Sequence, residues 1–165
     1  MNIFVTDPDP RKCAQNLDDK RVIKMILESV QILSTAVTMN GGTGIYRPTH
    51  QGHPCTKWAA TCYKNWLWLF NHMCSLQTEF FELSNGKYHA SYKKALSSKL
   101  IHQAYIHLDR DKEQTPFVNC AANKSLGIDY KHMDDVYQAY MLYLNDRWDT
   151  DIRKPRWSRN GQRTI

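Results

Sequence analysis

The sequence predicts an all-α protein, a compact single-domain bundle of about four helices with a short extended N-terminal segment. Two helical rhythms and one contrast carry that expectation. Val22, Ile23, Ile26, Leu27, Val30 and Leu33 cover one arc of a helical wheel. Trp58, Cys62, Trp66, Leu69, Met73, Leu76 and Phe80 keep the same spacing, and Tyr63, Leu67, Phe70, Cys74 and Phe81 widen that arc to nearly half the circumference, the mark of a central core helix. By contrast, only residues 2–5 are β-prone, and no repeat, low-complexity run or second domain is visible. A chain of 165 residues suits one domain with a real core.

In chain order, residues 2–5 form either one short strand or an extended arm packed on the core. Asp7-Pro8-Asp9-Pro10 breaks the chain, because proline biases its predecessor away from the helical region. Proline also suits a helix start, so the first helix is expected over 10–39, stopped by Asn40-Gly41-Gly42. Residues 41–53 read as a glycine-rich loop carrying Tyr46, Arg47, His50 and His53. A second helix is expected over 54–83, ended by Ser84-Asn85-Gly86, and a third over 91–108. An irregular crossing follows over 109–129. The last helix, 134–148, carries an aromatic stripe of Tyr137, Tyr140, Tyr143 and Trp148. Residues 1–148 are thus the domain and 149–165 a basic tail.

Twenty-two basic residues against 16 acidic ones give a net charge of +6 and a pI near 9.1. That balance favours anionic partners, nucleic acid first, with DNA the foremost candidate, and an acidic membrane surface second. The start of the chain lacks the charged region and apolar run of a signal peptide, and no stretch reads as a membrane span, so a soluble, cytoplasmic protein is expected. The five cysteines are an odd number without a C-x-x-C pair and read as reduced thiols, not as a disulfide framework or zinc knuckle.

The best candidate for chemistry is the polar face of the first helix, where Lys20, Arg21, Lys24, Glu28 and Gln31 gather. A lone carboxylate beside three cations suits catalysis. The same spacing also forms ordinary solvated helix pairs, worth about 0.2–0.5 kcal/mol each. Asp19 falls on the apolar arc, so it belongs either to a first helical turn, where the dipole favours it, or against a buried cation. On the second helix Trp68 sits within a polar face that includes Lys57, Lys64 and Asn65. It is either packed under a neighbouring element or a stacking platform for a base, with the lysines on phosphates.

His50 and His53 form H-x-x-H near Cys55, a weak metal pattern, and no metal or cofactor is expected. His53 before Pro54 reads better as a capping or substrate-contacting residue. In the tail, Arg153, Lys154, Arg156, Arg159 and Arg163 surround Trp157 without an acidic residue. Such interleaving suits phosphate contact and base stacking, and a solubilising tail is the alternative. There is no P-loop, G-x-G-x-x-G, G-x-S-x-G or H-E-x-x-H.

Taken together, Asn2-x-Phe4, Asp18-x-Lys20-Arg21, Lys24, Glu28, Gln31 and Leu33 resemble small bacterial and phage proteins grouped with pyrimidine-dimer DNA glycosylases of the endonuclease V type. His53-Pro54, Trp58 and the run Asn65-Trp66-Leu67-Trp68-Leu69 resemble the phage branch of that group. The likeness covers residues 1–35 and 53–70. It implies a compact, mainly helical fold, the cytoplasm of a host cell if phage-encoded, and a glycosylase coupled to an abasic-site lyase. In that family the chain's own α-amine attacks deoxyribose C1′, and a helix glutamate supports the transition state and the later elimination. Carried over, Glu28 is the glutamate, and Lys20, Arg21 and Lys24 lie near phosphates.

One position departs from the pattern. The best-known members use a threonine amine exposed by removal of the initiator methionine, whereas Asn2 is bulky enough to keep Met1 in place. The resemblance therefore implies that the Met1 amine serves, that Lys24 replaces it, or that lyase chemistry is absent. Two other classes compete with a glycosylase: a nucleotide-binding or nucleotide-processing protein, and a non-catalytic nucleic-acid binder. Oligomeric state is not legible.

Overall fold

The computed structural model describes residues 1–159; residues 160–165, with Arg163 of the expected tail, lie outside the described residues. The helices are α1 (Pro10–Asn16), α2 (Asp19–Met39), α3 (Pro54–Ala60), α4 (Tyr63–Leu83), α5 (Ala90–Ser97), α6 (Leu100–His107) and α7 (Val136–Thr150). A two-residue antiparallel ribbon, β1 (Ala122–Asn123) with β2 (Ile128–Asp129), pairs Ala122 with Asp129 around a 3₁₀ turn over Lys124–Leu126. The protein is all-α in the broad sense, but it is not a four-helix bundle, because each of the first three expected helices is broken once.

Each break has a local cause. Between α1 and α2, Leu17 and Asp18 are extended. Asp18 is buried, and Oδ1 accepts from Arg21 Nη1 and from Trp148 Nε1, each at 2.8 Å; an unpaired carboxylate there would cost several kcal/mol. Asp19 combines both of its expected alternatives. It opens α2, and it accepts from Ser158 Oγ at 2.6 Å and Arg159 Nη1 at 3.0 Å.

Between α3 and α4, Cys62 is fully extended. The carboxamide of Asn65 bridges the gap, with Nδ2 donating to Trp58 O and Thr115 Oγ1, each at 2.7 Å, and Oδ1 accepting from Thr115 N at 2.9 Å. Between α5 and α6, Ser98 Oγ donates to Ala95 O at 2.7 Å and accepts from Leu100 N at 3.2 Å. Ser and Asn compete with the helical ladder in this way.

Of the two forms expected for residues 2–5, the arm is the one seen: no strand forms there, and Ile3 and Val5 are buried. At the centre lies α2, packed chiefly on α4 and α3, with Trp66 fully buried and its Nε1 donating to Leu33 O at 3.0 Å. By length and composition alone α2 could cross a membrane, but most of it is buried inside the protein. Its buried arc is Val22, Met25, Ile26, Ser29, Val30, Ile32 and Leu33. Ile23 and Leu27, on the apolar arc of the helical wheel, are 44% and 39% exposed and share the solvent side with Lys20 and Lys24.

The C-terminal segment folds back. Arg156 O accepts from Asp19 N at 2.9 Å, Trp157 meets Trp148 edge-on at 5.0 Å, and buried Arg159 binds Glu79 at 2.6 Å and the carbonyl of Leu17. The described part of the tail is therefore joined to the body.

Candidate active site

The N-terminal arm, the solvent-side edge of α2, the entrance of α3 and the end of α7 enclose a cleft of about 300 Å³. Its wall holds Met1, Asn2, Lys20, Arg21, Lys24 and Glu28, joined by Phe4, His53, Cys120, Tyr143 and Arg147. Glu28 is the centre. Its side chain is 13% exposed, Oε1 pairs with Lys24 Nζ at 3.1 Å, and Oε2 accepts from the backbone amide of Asn2 at 3.2 Å.

Asn2 holds the arm against this carboxylate. Its Oδ1 accepts from the amides of Ile3 at 2.8 Å and Phe4 at 3.3 Å, and Nδ2 donates to Cys120 O at 3.3 Å. The chain turns sharply here, for Phe4 has φ +57°, a conformation rare for a bulky residue and stable only where its surroundings enforce it. Stacking on Tyr143 at 5.9 Å and an edge contact with Tyr140 at 6.2 Å supply that enforcement, along with the Asn2 side chain. A strained aromatic therefore fixes where the first residue lies.

The imidazole of His53 caps α3 by accepting from Cys55 N at 3.1 Å. Burial pushes its pKa below the ordinary value, as do the positive N-terminus and His50, while Glu28 acts in the opposite direction. The terminal ammonium and the Glu28 carboxylate thus both lie within electrostatic reach of one imidazole. Behind them the thiols of Cys55 and Cys120 lie within 4.8 Å of each other. Hydrogen bonding from Cys55, aided by Tyr140 and the charges of Lys131 and the N-terminus, lowers the Cys120 pKa to about 7 against the effect of burial. The same hydrogen bonding, followed by burial, raises Cys55 well above the usual thiol range.

The other expected site residues divide by exposure. Lys20 is exposed and borders three clefts. The second, about 480 Å³, is lined by Asp18, Asp19, Arg153, Lys154 and Arg156, and the third by Arg147 and Arg153 among others. Arg153, Lys154 and Arg156 are exposed, so a basic track leads away from Glu28. Lys57 is exposed on α3, and Gln31 is half-buried on α2; neither lines these clefts. Trp157 is half-buried against Trp148.

Placement bears on three further expectations. Arg21 lies in the cleft wall, but its guanidinium is buried between Asp18 and Asp151, at 2.8 and 2.9 Å. Trp68 is 7% exposed and donates Nε1 to Pro8 O at 2.8 Å; it is packed beneath α1 against Trp58 and Phe117 and offers no platform to a base. Asn65 is fully buried at the α3–α4 junction. The helical wheel misleads here because α1 and the crossing segment cover a polar face that the α4 sequence alone leaves open.

Tyr143, Arg147 and Cys120 were missed. The sequence offered a signal only for Arg147, a cation in the last turn of an aromatic helix, one turn beyond Tyr143.

The family model for pyrimidine dimer DNA glycosylase matches residues 1–89, more than half of the 165-residue chain. That span contains Met1, Asn2, Lys20, Lys24, Glu28 and His53; Cys120, Tyr143 and Arg147 come from beyond it. No curated protein and no solved structure matches the chain.

Proposed function

Because the chain belongs to the pyrimidine dimer DNA glycosylase family, we propose that it excises a dimerised pyrimidine from duplex DNA by amine attack at C1′, with Glu28 as the catalytic carboxylate and the Met1 α-amine as nucleophile. DNA is the partner, and DNA repair the setting, that this family implies. The observation that carries the finer reading is the hydrogen bond from Asn2 N to Glu28 Oε2 at 3.2 Å, one residue from the amine.

The neutral amine forms a bond to C1′ while the C1′–N1 pair departs with the base, which takes a proton from solvent. Positive charge builds on the sugar, and a fixed carboxylate in a shielded cleft stabilises it. The amine's proton passes to Glu28. The nitrogen pair then closes the C1′=N bond as O4′ takes the C1′–O4′ pair and the proton held by Glu28, which opens the sugar ring, leaves an iminium between C1′ and the chain and restores the carboxylate. Loss of a proton from C2′ to the restored Glu28 carboxylate then expels the 3′ phosphate. Water finally hydrolyses the iminium and returns the amine.

Lys24 fits the nucleophile less well. Its ammonium is 66% exposed and engaged in an ion pair with Glu28. Lys20, Arg153, Lys154 and Arg156 lie along the track that a phosphate backbone would follow, and a target base must leave the stack to expose C1′.

The test is turnover of ultraviolet-irradiated duplex by Glu28→Gln. The variant keeps the size of the side chain and an acceptor oxygen for the Asn2 amide, so DNA binding and folding persist while turnover falls about 10²–10⁴-fold. Wild-type turnover in Glu28→Gln would remove Glu28 from the chemistry.

A further inference from the structure

We propose that His53, Cys55 and Cys120 form a three-ligand site for a thiophilic divalent cation, zinc by its chemistry, with the fourth position opening toward Glu28 and the chain's first residue. Among the described residues these three converge, with a ring nitrogen and two sulfurs all within 4.8 Å of one another. A tetrahedral zinc with bonds of about 2.0–2.3 Å holds its ligand atoms about 3.3–3.8 Å apart, so side-chain rotations that close each pair by at most about 1–1.5 Å complete the site.

The ligand types match the metal. Two sulfurs and an imidazole select zinc over magnesium or calcium, which take oxygen. The framework is held from behind. Cys55 is buried in the first turn of α3, and His53 opens that helix by capping Cys55 N. The Cys120 backbone is fixed by Asn2 Nδ2 at its carbonyl and by Tyr140 Oη at its amide, at 3.3 and 3.1 Å. Entry is open, because His53 and Cys120 line the cleft from which Cys55 is shielded.

Three protein ligands and an open position are the form of an exchangeable site rather than a closed structural one. Met1 and Glu28 line the same cleft as His53 and Cys120, and the charges of both act on His53. A bound cation there competes for the electron pair of the amine, so zinc inhibits the reaction proposed above; this consequence, unlike binding itself, rests on that reading.

The experiment is cobalt titration of the reduced full-length chain, followed by zinc displacement. One Co²⁺ binds per chain, with thiolate-to-cobalt charge transfer in the near ultraviolet and the intense visible bands of a tetrahedral centre, and zinc erases both. Cys120→Ala and Cys55→Ser each lose about half the charge transfer, and His53→Asn, which keeps an acceptor at the helix cap, weakens binding at least about tenfold. Cys74→Ser leaves the spectrum unchanged. Cys120→Ala alters a half-exposed side chain and folds, so the test survives any instability of Cys55→Ser. Absence of charge transfer with all five thiols reduced, or a spectrum that persists in Cys120→Ala and His53→Asn, overturns the site. Binding that leaves turnover of irradiated DNA unchanged keeps the site and removes only its inhibitory role.

Discussion

Glu28 and Asn2 are joined by a 3.2 Å hydrogen bond from backbone amide to carboxylate, which ties the first residues of the chain to the middle of the central helix. Burying a carboxylate edge needs donors. Here one comes from the arm and one from Lys24 at 3.1 Å. The arm is therefore part of the cleft wall, and its position depends on the side chain of Asn2.

A change that keeps the arm's amide acceptor but removes its tether tests this dependence. Asn2→Asp retains an oxygen for the Ile3 and Phe4 amides and loses the donor to Cys120 O. It also sets a second carboxylate near Glu28. Turnover should fall at least about tenfold with less than about 2 kcal/mol of stability lost, read by single-turnover kinetics beside urea denaturation.

The basic track makes a separate prediction. Lys20→Ala, Arg153→Ala and Arg156→Ala each remove an exposed cation. Affinity for undamaged duplex should drop in each, and the slope of log K against log salt should become shallower by about 0.9 for each phosphate that is no longer neutralised. Trp68→Phe, in contrast, leaves that slope unchanged. It loses the bond to Pro8 O and about 1–2 kcal/mol of stability.

That contrast marks where sequence was informative. The arc of α2 and the proximity of Lys20, Lys24 and Glu28 follow from helical periodicity, which is local and survives in any fold. Trp68 and Asn65 do not follow from it. Their surroundings are set by α1 and by Thr115, which no periodicity in α4 encodes. The break at Asp18 was likewise hidden, since its cause is an indole on α7. Cys120 reaches the site through a crossing segment whose path has no local signature.

Arg159 anchors the returning segment. Its side chain is 2% exposed and binds both Glu79 and Asp19, so Arg159→Met leaves two carboxylates without their cation. A loss of about 3–5 kcal/mol is expected, seen as a lowered urea midpoint with the slope unchanged.

His72 predicts an acid limit. The ring is fully buried, donates Nδ1–H to Pro10 O at 3.0 Å, and leaves Nε2 without a partner. Burial lowers its pKa from 6.5 to about 4. Between those values the unfolded chain takes up a proton that the native ring refuses. Stability is thus fully present above pH 6.5 and falls through that window by on the order of 3 kcal/mol. Urea midpoints measured across pH 4–7 check this, and His72→Gln should flatten that part of the profile.

Amine attack by the first residue is tested by borohydride trapping on DNA with an abasic site, followed by peptide mapping. Borohydride delivers hydride to the iminium carbon and makes the bond to the chain permanent. One DNA adduct is expected, on the α-amine of the N-terminal peptide, lost or strongly reduced in Glu28→Gln, if Met1 is the nucleophile as proposed; that mechanism is the target of the test. An adduct on Lys24, or DNA bound with no adduct at all, would contradict it.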